Sequence, residues 1–285
     1  MQDISLNGGI NLKKIALIVN FDKSNALSVA NELISLLRDR AEIYCSKEAS
    51  LLLPDIMGMD ENELFTLCPT VAVLGGDGTI ISAAKKCASS KNVLVGINIG
   101  NLGYLSTIES NNLSEAAGIL LSDDIHINDR YMLCVRIYSG GKEISSHHAL
   151  NEVVVTRGAR SRLMDFTAYS GKKPLCQYRA DGMIVATPTG STAYSLSAGG
   201  PILSPETDAM IITPICPHML KARSIVLPPK PIKIEASGAA EVAIDGQIFK
   251  FLGDGDYIIV EKSEYTARLA DNKELSFYDI LQKKL

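Results

Sequence analysis

The chain has 285 residues, 46% of them hydrophobic and 21% charged, with a formal net charge of −4. These proportions suit a globular protein of one or two domains and exclude a disordered or fibrous chain. The mildly acidic balance gives no electrostatic reason to expect DNA or RNA binding, which usually needs a basic face. The six cysteines, at 45, 68, 87, 134, 176 and 216, form no Cys-x-x-Cys pair, which predicts reduced thiols in a reducing compartment. The apolar run 15–19 is too short for the core of a signal peptide, and no stretch approaches the length of a transmembrane helix. A cytoplasmic protein with no membrane or nucleic-acid partner is expected.

The first part of the chain alternates strands and helices. Residues 14–19 predict a buried strand. Ser24 is a cap candidate for a helix on which Leu27, Ala30, Leu33, Ile34 and Leu37 recur at helical spacing. Strands are predicted at 41–45, 71–74 and 93–97, with helices at 79–88 and 113–121. This alternation predicts a parallel sheet covered by helices. Beyond about residue 122 the pattern becomes predominantly β. Strands are expected at 131–138, 153–155, 166–169, 176–179, 184–186 and 232–234, with a turn at 139–142. Leu275–Leu285 predicts a terminal helix. The expected fold is therefore an α/β N-terminal domain over 1–122 and a predominantly β, sandwich-like C-terminal domain over 123–267. The tail, about 268–285, is expected to pack back on the first.

Four segments carry chemistry. Gly75-Gly76-Asp77-Gly78-Thr79 follows a predicted strand and precedes a predicted helix. Glycines there let backbone N–H groups approach an anion, and the helix N-terminus favours negative charge. Asp77 would repel phosphate unless it binds a metal or accepts a proton. A dinucleotide fingerprint starting at Gly76 would need glycine at position 81, which is Ile81, and no Gly-Lys-Ser/Thr tripeptide exists for a Walker A loop. The turn alone could equally be a tight corner whose Asp caps the helix. The second glycine cluster, 96–105, should open on the same sheet edge, and by itself reads as a structural loop. Asn151-Glu152 offers donors and acceptors for vicinal hydroxyls or a base edge, although such a pair at a strand start is usually a solvated corner. The run 179–201 places six serine and threonine residues between 187 and 197, just after Asp181, and leaves space for a ligand with many hydrogen bonds. His218 and the His147-His148 pair read as structural.

Together with Thr213–His218 and Asp245-Gly246, these segments resemble the NAD kinase family, in the family's order and over most of the chain. The glycine motif alone is shared with phosphofructokinases and diacylglycerol-type lipid kinases, whereas the 181–201 run is specific. The resemblance implies a two-domain fold with the active site between the domains. It implies ATP or polyphosphate as phosphoryl donor, a divalent metal (Mg²⁺ or Mn²⁺) held mainly through the donor's phosphates, NAD as acceptor, and a homodimer or homotetramer. It implies Asp77 as the catalytic carboxylate, with Gly76 and Gly78 at the phosphates. Asn151 and Glu152 would hold ribose hydroxyls of NAD. Asp181, Thr192, Ala193, Tyr194, Ser195 and Ser197 would line the NAD pocket, and Arg162, Arg179 and Gln247 would stand beside it or in a neighbouring subunit. Two departures are local: Ala222-Arg223-Ser224 stands where Arg-Pro is usual, and Tyr104 where Phe is commoner. A lipid kinase and a non-catalytic NAD(P)-binding regulator are the competing readings.

Overall fold

The computed structural model describes residues 12–100, 103–106, 108–158, 163–271 and 276–284. These residues fall into two compact units. The first holds residues 12–80, 92–127 and 270–271; the second holds 81–91, 128–269 and 276–284.

The first unit contains β1 (Lys13–Val19), α1 (Ala26–Leu37), β2 (Ala41–Ser46), α2 (Lys47–Ser50), β3 (Met57–Met59), α3 (Glu61–Leu67), β4 (Thr70–Gly75), the start of α4 (Asp77–Cys87), β5 (Val93–Asn98), β6 (Ile108–Glu109) and α5 (Leu113–Leu121). The strands run parallel in the order β3-β2-β1-β4-β5, with β6 beside β5. Strand β4 sits between two neighbours and is apolar throughout its middle, as a parallel strand covered on both faces must be. One stripe of α1 (Ala30, Leu33, Leu37) and one of α5 (Ala116, Leu120) pack on Leu17, Leu74 and Ile97.

Helix α1 starts after Asn25, which makes no side-chain capping bond, so Ser24 is not its cap. The short elements α2, β3 and α3 fill a stretch too polar and irregular to carry a periodic signal. Helix α4 starts at Asp77, two residues earlier than its apolar spacing predicts, because the Gly76 carbonyl accepts from the N–H groups of Thr79 (2.9 Å) and Ile80 (3.2 Å).

The second unit contains β7 (Ile127–Ser139), β8 (Lys142–Ala149), β9 (Glu152–Thr156), β10 (Met164–Ser170), β11 (Lys173–Ala180), β12 (Gly182–Ala186), α6 (Tyr194–Ser197), β13 (Met210–Ile215), β14 (Ile225–Leu227), β15 (Ile232–Ala236), β16 (Ala240–Ile244), β17 (Gln247–Leu252), β18 (Tyr257–Ala270) and α7 (Phe277–Lys284). One antiparallel sheet has the order β14-β13-β12-β9-β16-β17. Opposite it, β11, β10, β15 and β18 pair in turn, and β7 links β18 to β8.

Their inner faces share one core, in which Phe166, Ile234 and Ile258 meet Val153, Val185 and Val242. This is the sandwich packing of two sheets. The outer face of β12 is apolar too: Ile184 and Ala186 are covered by Ala198 and Leu203 from the segment after α6. The hydroxyl-rich run is therefore anchored to the sheet by its apolar members.

The tail does not go as a whole to the first unit. Ala270 and Asp271 do, with Asp271 N–H donating to the His126 carbonyl (2.8 Å), while α7 groups with the second. All six cysteines are free thiols. No helix among the described residues is long and apolar enough to cross a membrane.

Candidate active site

In the first unit, the end of β4 and the start of α4 build one candidate site. Asp77 lies in the first turn of α4, where a negative charge suits the helix dipole. Its carboxylate is gripped from the side by the second glycine cluster: Tyr104 N–H donates to Oδ2 at 2.8 Å and Leu105 N–H to Oδ1 at 3.1 Å. Gly103 makes this approach possible, since a β-carbon there would fall well inside 3.0 Å of the carboxylate. At the head of the same loop, the Asn98 side chain bonds both the N–H and the carbonyl of Gly100, at 3.1 and 3.2 Å. Gly76 and Gly78 present the opposite situation: a β-carbon on either would meet nothing within 4 Å, and neither has positive φ. Crowding and backbone conformation thus leave their identity unexplained, and the open face beside the helix N-terminus can receive an anion.

In the second unit, a further candidate site is a corner at the entrance to β9. Asn151 and Glu152 follow the buried Leu150, and their backbone N–H groups both donate to Oδ1 of Asp245, at 2.9 and 3.2 Å. Leu150 N–H donates to Oδ2 at 3.0 Å. Asp245 reaches them from the tight turn between β16 and β17, where it and Gly246 have φ of 46° and 77°. Thr187 locks the other side: its hydroxyl donates to the Leu150 carbonyl (2.7 Å) and its N–H to the Asn151 carbonyl (2.8 Å).

Glu152 is 5% exposed. Its carboxylate accepts from the Tyr194 N–H at the start of α6, yet Oε2 has no partner among the described residues. Burial, and then the neighbouring Asp245 charge, push its pKa up to about 7. A buried carboxyl with a free oxygen is costly unless something bonds it, and this one lies beside the hydroxyl-rich run.

The other expected residues divide into those turned inward and those exposed. Ser195 is fully buried and its hydroxyl pairs with that of Thr213 at 2.9 Å, so it braces the loop from within. Thr192 donates its hydroxyl to the Thr189 carbonyl (3.2 Å). Ala193 joins a 3-10 turn to α6, donating its N–H to Gly190 and accepting from Leu196. Tyr194 and Ser197 are exposed on α6.

Asp181 bonds Arg157 Nε at 2.8 Å, a partner that spacing could not suggest. Arg179 is exposed on the edge strand β11 and Gln247 is exposed at the start of β17. Arg162 lies outside the described residues. Lys85, whose Nζ stands 3.6 Å from Asp245 Oδ2, and the Tyr194 N–H were invisible as site members in the sequence. The Asp245-Gly246 pair entered the sequence reading only through the family resemblance, with no role of its own.

The sequence and the architecture both have relatives. The profile of the ATP-NAD kinase N-terminal domain matches residues 15–125, and that of the ATP-NAD kinase C-terminal domain matches residues 150–271. An NAD kinase of Desulforamulus reducens is 37% identical over 282 residues, covering 96% of this chain and 97% of the relative. An NAD kinase of Geobacter sulfurreducens is 38% identical over 288 residues, covering 96% and 98%. Among solved structures, an NAD kinase from Archaeoglobus fulgidus in complex with ATP superposes with a TM-score of 0.75 at 25% identity, covering 95% of this chain and 98% of that one. The fold is also that of a yeast NADH kinase complexed with NADH, with a TM-score of 0.89 at 23% identity over 96% of this chain and 87% of that one. These relationships put the chain among the nucleotide-dependent phosphotransferases. It belongs to the NAD kinase family.

Proposed function

We propose that this chain transfers the γ-phosphoryl group of ATP to the 2′-hydroxyl of the adenosine ribose of NAD, giving NADP and ADP. The observation that carries the reading is the Asp77 carboxylate, fixed by two backbone N–H groups beside two unhindered glycines. Phosphoryl transfer asks little covalent chemistry of the protein; positioning and charge neutralisation dominate. Each Asp77 oxygen accepts one backbone N–H and keeps a lone pair for the acceptor hydroxyl, so Asp77 takes the proton as the new P–O bond forms. The open N–H groups around Gly76 and Gly78 receive the donor's phosphates.

The Asn151–Glu152 corner holds hydroxyls of NAD. Its support is the unpartnered Oε2 of Glu152. Asp181, Thr192, Ala193, Tyr194 and Ser197 line the same acceptor pocket, with Arg179 and Gln247 at its margin. The divalent ion is read as entering with the nucleotide, on its phosphates. A homodimer or homotetramer is the proposed assembly. The edge strand β17 supports it, because Ile248, Phe249 and Phe251 all lie exposed there. The proposed location is the cytoplasm.

The test is direct. Protein, NAD, ATP and Mg²⁺ are incubated together, and NADP is detected with an NADP-specific dehydrogenase. Product is expected with the wild-type chain and not with Asp77→Ala. Folded wild-type protein that yields no NADP with ATP or polyphosphate sinks the proposal and returns the chain to the regulator reading.

A further inference from the structure

The Asp245 side chain is wholly buried, and it is spent on three consecutive backbone N–H groups of the Leu150-Asn151-Glu152 corner. Its own N–H donates to the Glu152 carbonyl at 3.0 Å, closing a reciprocal pair. A buried carboxylate beside a second buried carboxyl, Glu152, is unfavourable without an opposing charge. Lys85 supplies it: from the third turn of α4 its Nζ stands 3.6 Å from Asp245 Oδ2, with only 18% of the Lys85 side chain exposed. No helix or strand period asks for a lysine there; Lys85 is one of the two basic residues in the last turn of α4.

We propose that Asp245 and Lys85 are positioning residues for the acceptor-binding corner, Asp245 fixing the backbone of Asn151 and Glu152 and Lys85 opposing its charge. The proposal rests on the reading of that corner as the place where NAD hydroxyls bind. An amide cannot replace the carboxylate, because three N–H groups point at its two oxygens and an NH₂ group on either side would meet a donor. A lysine is needed because the pair is too buried for solvent to screen. The charged group acting on Glu152 is Asp245, from the β16–β17 turn, and Lys85, from α4, faces Asp245. His147 on β8 faces Lys85, and burial followed by that positive charge holds its pKa below the usual histidine value.

The test compares Asp245→Asn, Lys85→Met and Glu152→Gln with wild type in steady state across about pH 5 to 9, the range in which a carboxyl and a histidine titrate. Glu152→Gln first checks the underlying reading. It is expected to raise KM for NAD and to abolish the acid limb of kcat/KM for NAD; an unchanged KM and limb would refute the reading of the corner itself. Given that effect, Asp245→Asn is expected to raise KM for NAD by about tenfold to a hundredfold, the scale of an ångström-level misplacement, with KM for ATP unchanged. Its acid limb moves to lower pH, because a negative neighbour of Glu152 is gone. Lys85→Met is expected to move that limb the opposite way, to higher pH, since the Asp245 charge then stands unopposed. A purely structural role moves neither limb. Limbs that coincide with wild type in both variants, or that move in the same direction, overturn the inference while leaving the corner's role standing. Should Asp245→Asn fail to fold, the Lys85→Met limb decides alone.

Discussion

Gly103 lies so close to Asp77 that a β-carbon at position 103 would enter the space of the carboxylate oxygens. The contact joins the two glycine clusters into one device: the first carries the carboxylate, and the second supplies the N–H groups that aim it. Gly103→Ala should therefore act on Asp77 without touching it chemically. Turnover is expected to fall by about a hundredfold, the usual penalty of a small misplacement, with KM for both substrates little changed. Single-turnover phosphoryl transfer measures the step directly, and wild-type turnover in Gly103→Ala would show that the grip on Asp77 has no catalytic weight.

Asp77→Asn separates proton acceptance from metal ligation. Removing a general base typically lowers kcat by about 10²- to 10⁴-fold. The amide also sets an NH₂ against the N–H of Tyr104 or Leu105, so a small loss of thermal stability accompanies it. A magnesium titration of the variant is the discriminating measurement. If Asp77 is the base, excess Mg²⁺ leaves the deficit intact; restoration by Mg²⁺ would reassign Asp77 as a metal ligand.

Glu152 makes a stability prediction whose sign is unusual for a carboxylate. Its folded-state pKa is raised from 4.5 to about 7, so between those values the folded protein holds a proton that the unfolded chain has released. Stability then falls as pH rises through that window, and the full penalty is present above about pH 7. Glu152→Gln removes the charge, and is expected to raise the melting temperature at pH 8 by the equivalent of about 1–3 kcal/mol while changing little at pH 5. Melting curves at the two pH values check this; a variant less stable than wild type at pH 8 contradicts the burial argument.

The buried hydroxyl pair of Ser195 and Thr213 should matter to the fold and not to substrate affinity. Ser195→Ala leaves the Thr213 hydroxyl without its partner and is expected to cost about 1–3 kcal/mol. The double variant Ser195→Ala/Thr213→Val should cost less than the two single changes together, as expected for an interacting pair. Chemical denaturation of the four proteins gives the coupling. A large rise in KM for NAD in a fully folded Ser195→Ala would restore the residue to the pocket.

Much of the first unit was legible because parallel strands announce themselves as short apolar runs, and α1 and α5 as amphipathic repeats. The sandwich was legible only in part. Strands β16 to β18 carry mixed patterns, since β17 is exposed on both sides and β18 alternates over fourteen residues. Within the candidate sites, Asp77, Asn151 and Glu152 stood out by residue type and placement. Their supports did not: Tyr104 and Leu105 act through backbone N–H groups, which every residue but proline possesses, and Asp245 lies 93 residues from Glu152. Ser195 shows the opposite difficulty. A serine in a hydroxyl-rich loop looks like a ligand contact until burial shows its hydroxyl facing Thr213.

Gly76 and Gly78 lead to a different kind of consequence. Gly78 sits in the first turn of α4, a place where alanine would hold the helix better by up to about 1 kcal/mol, and nothing in the fold would obstruct the extra methyl on either glycine. Alanine at Gly78 should thus yield a protein that is sturdier and slower. Selection for heat resistance alone would drift toward such variants, and selection for turnover would restore the glycine. The motif marks a place where this chain has kept a weaker helix in exchange for room at its chemistry.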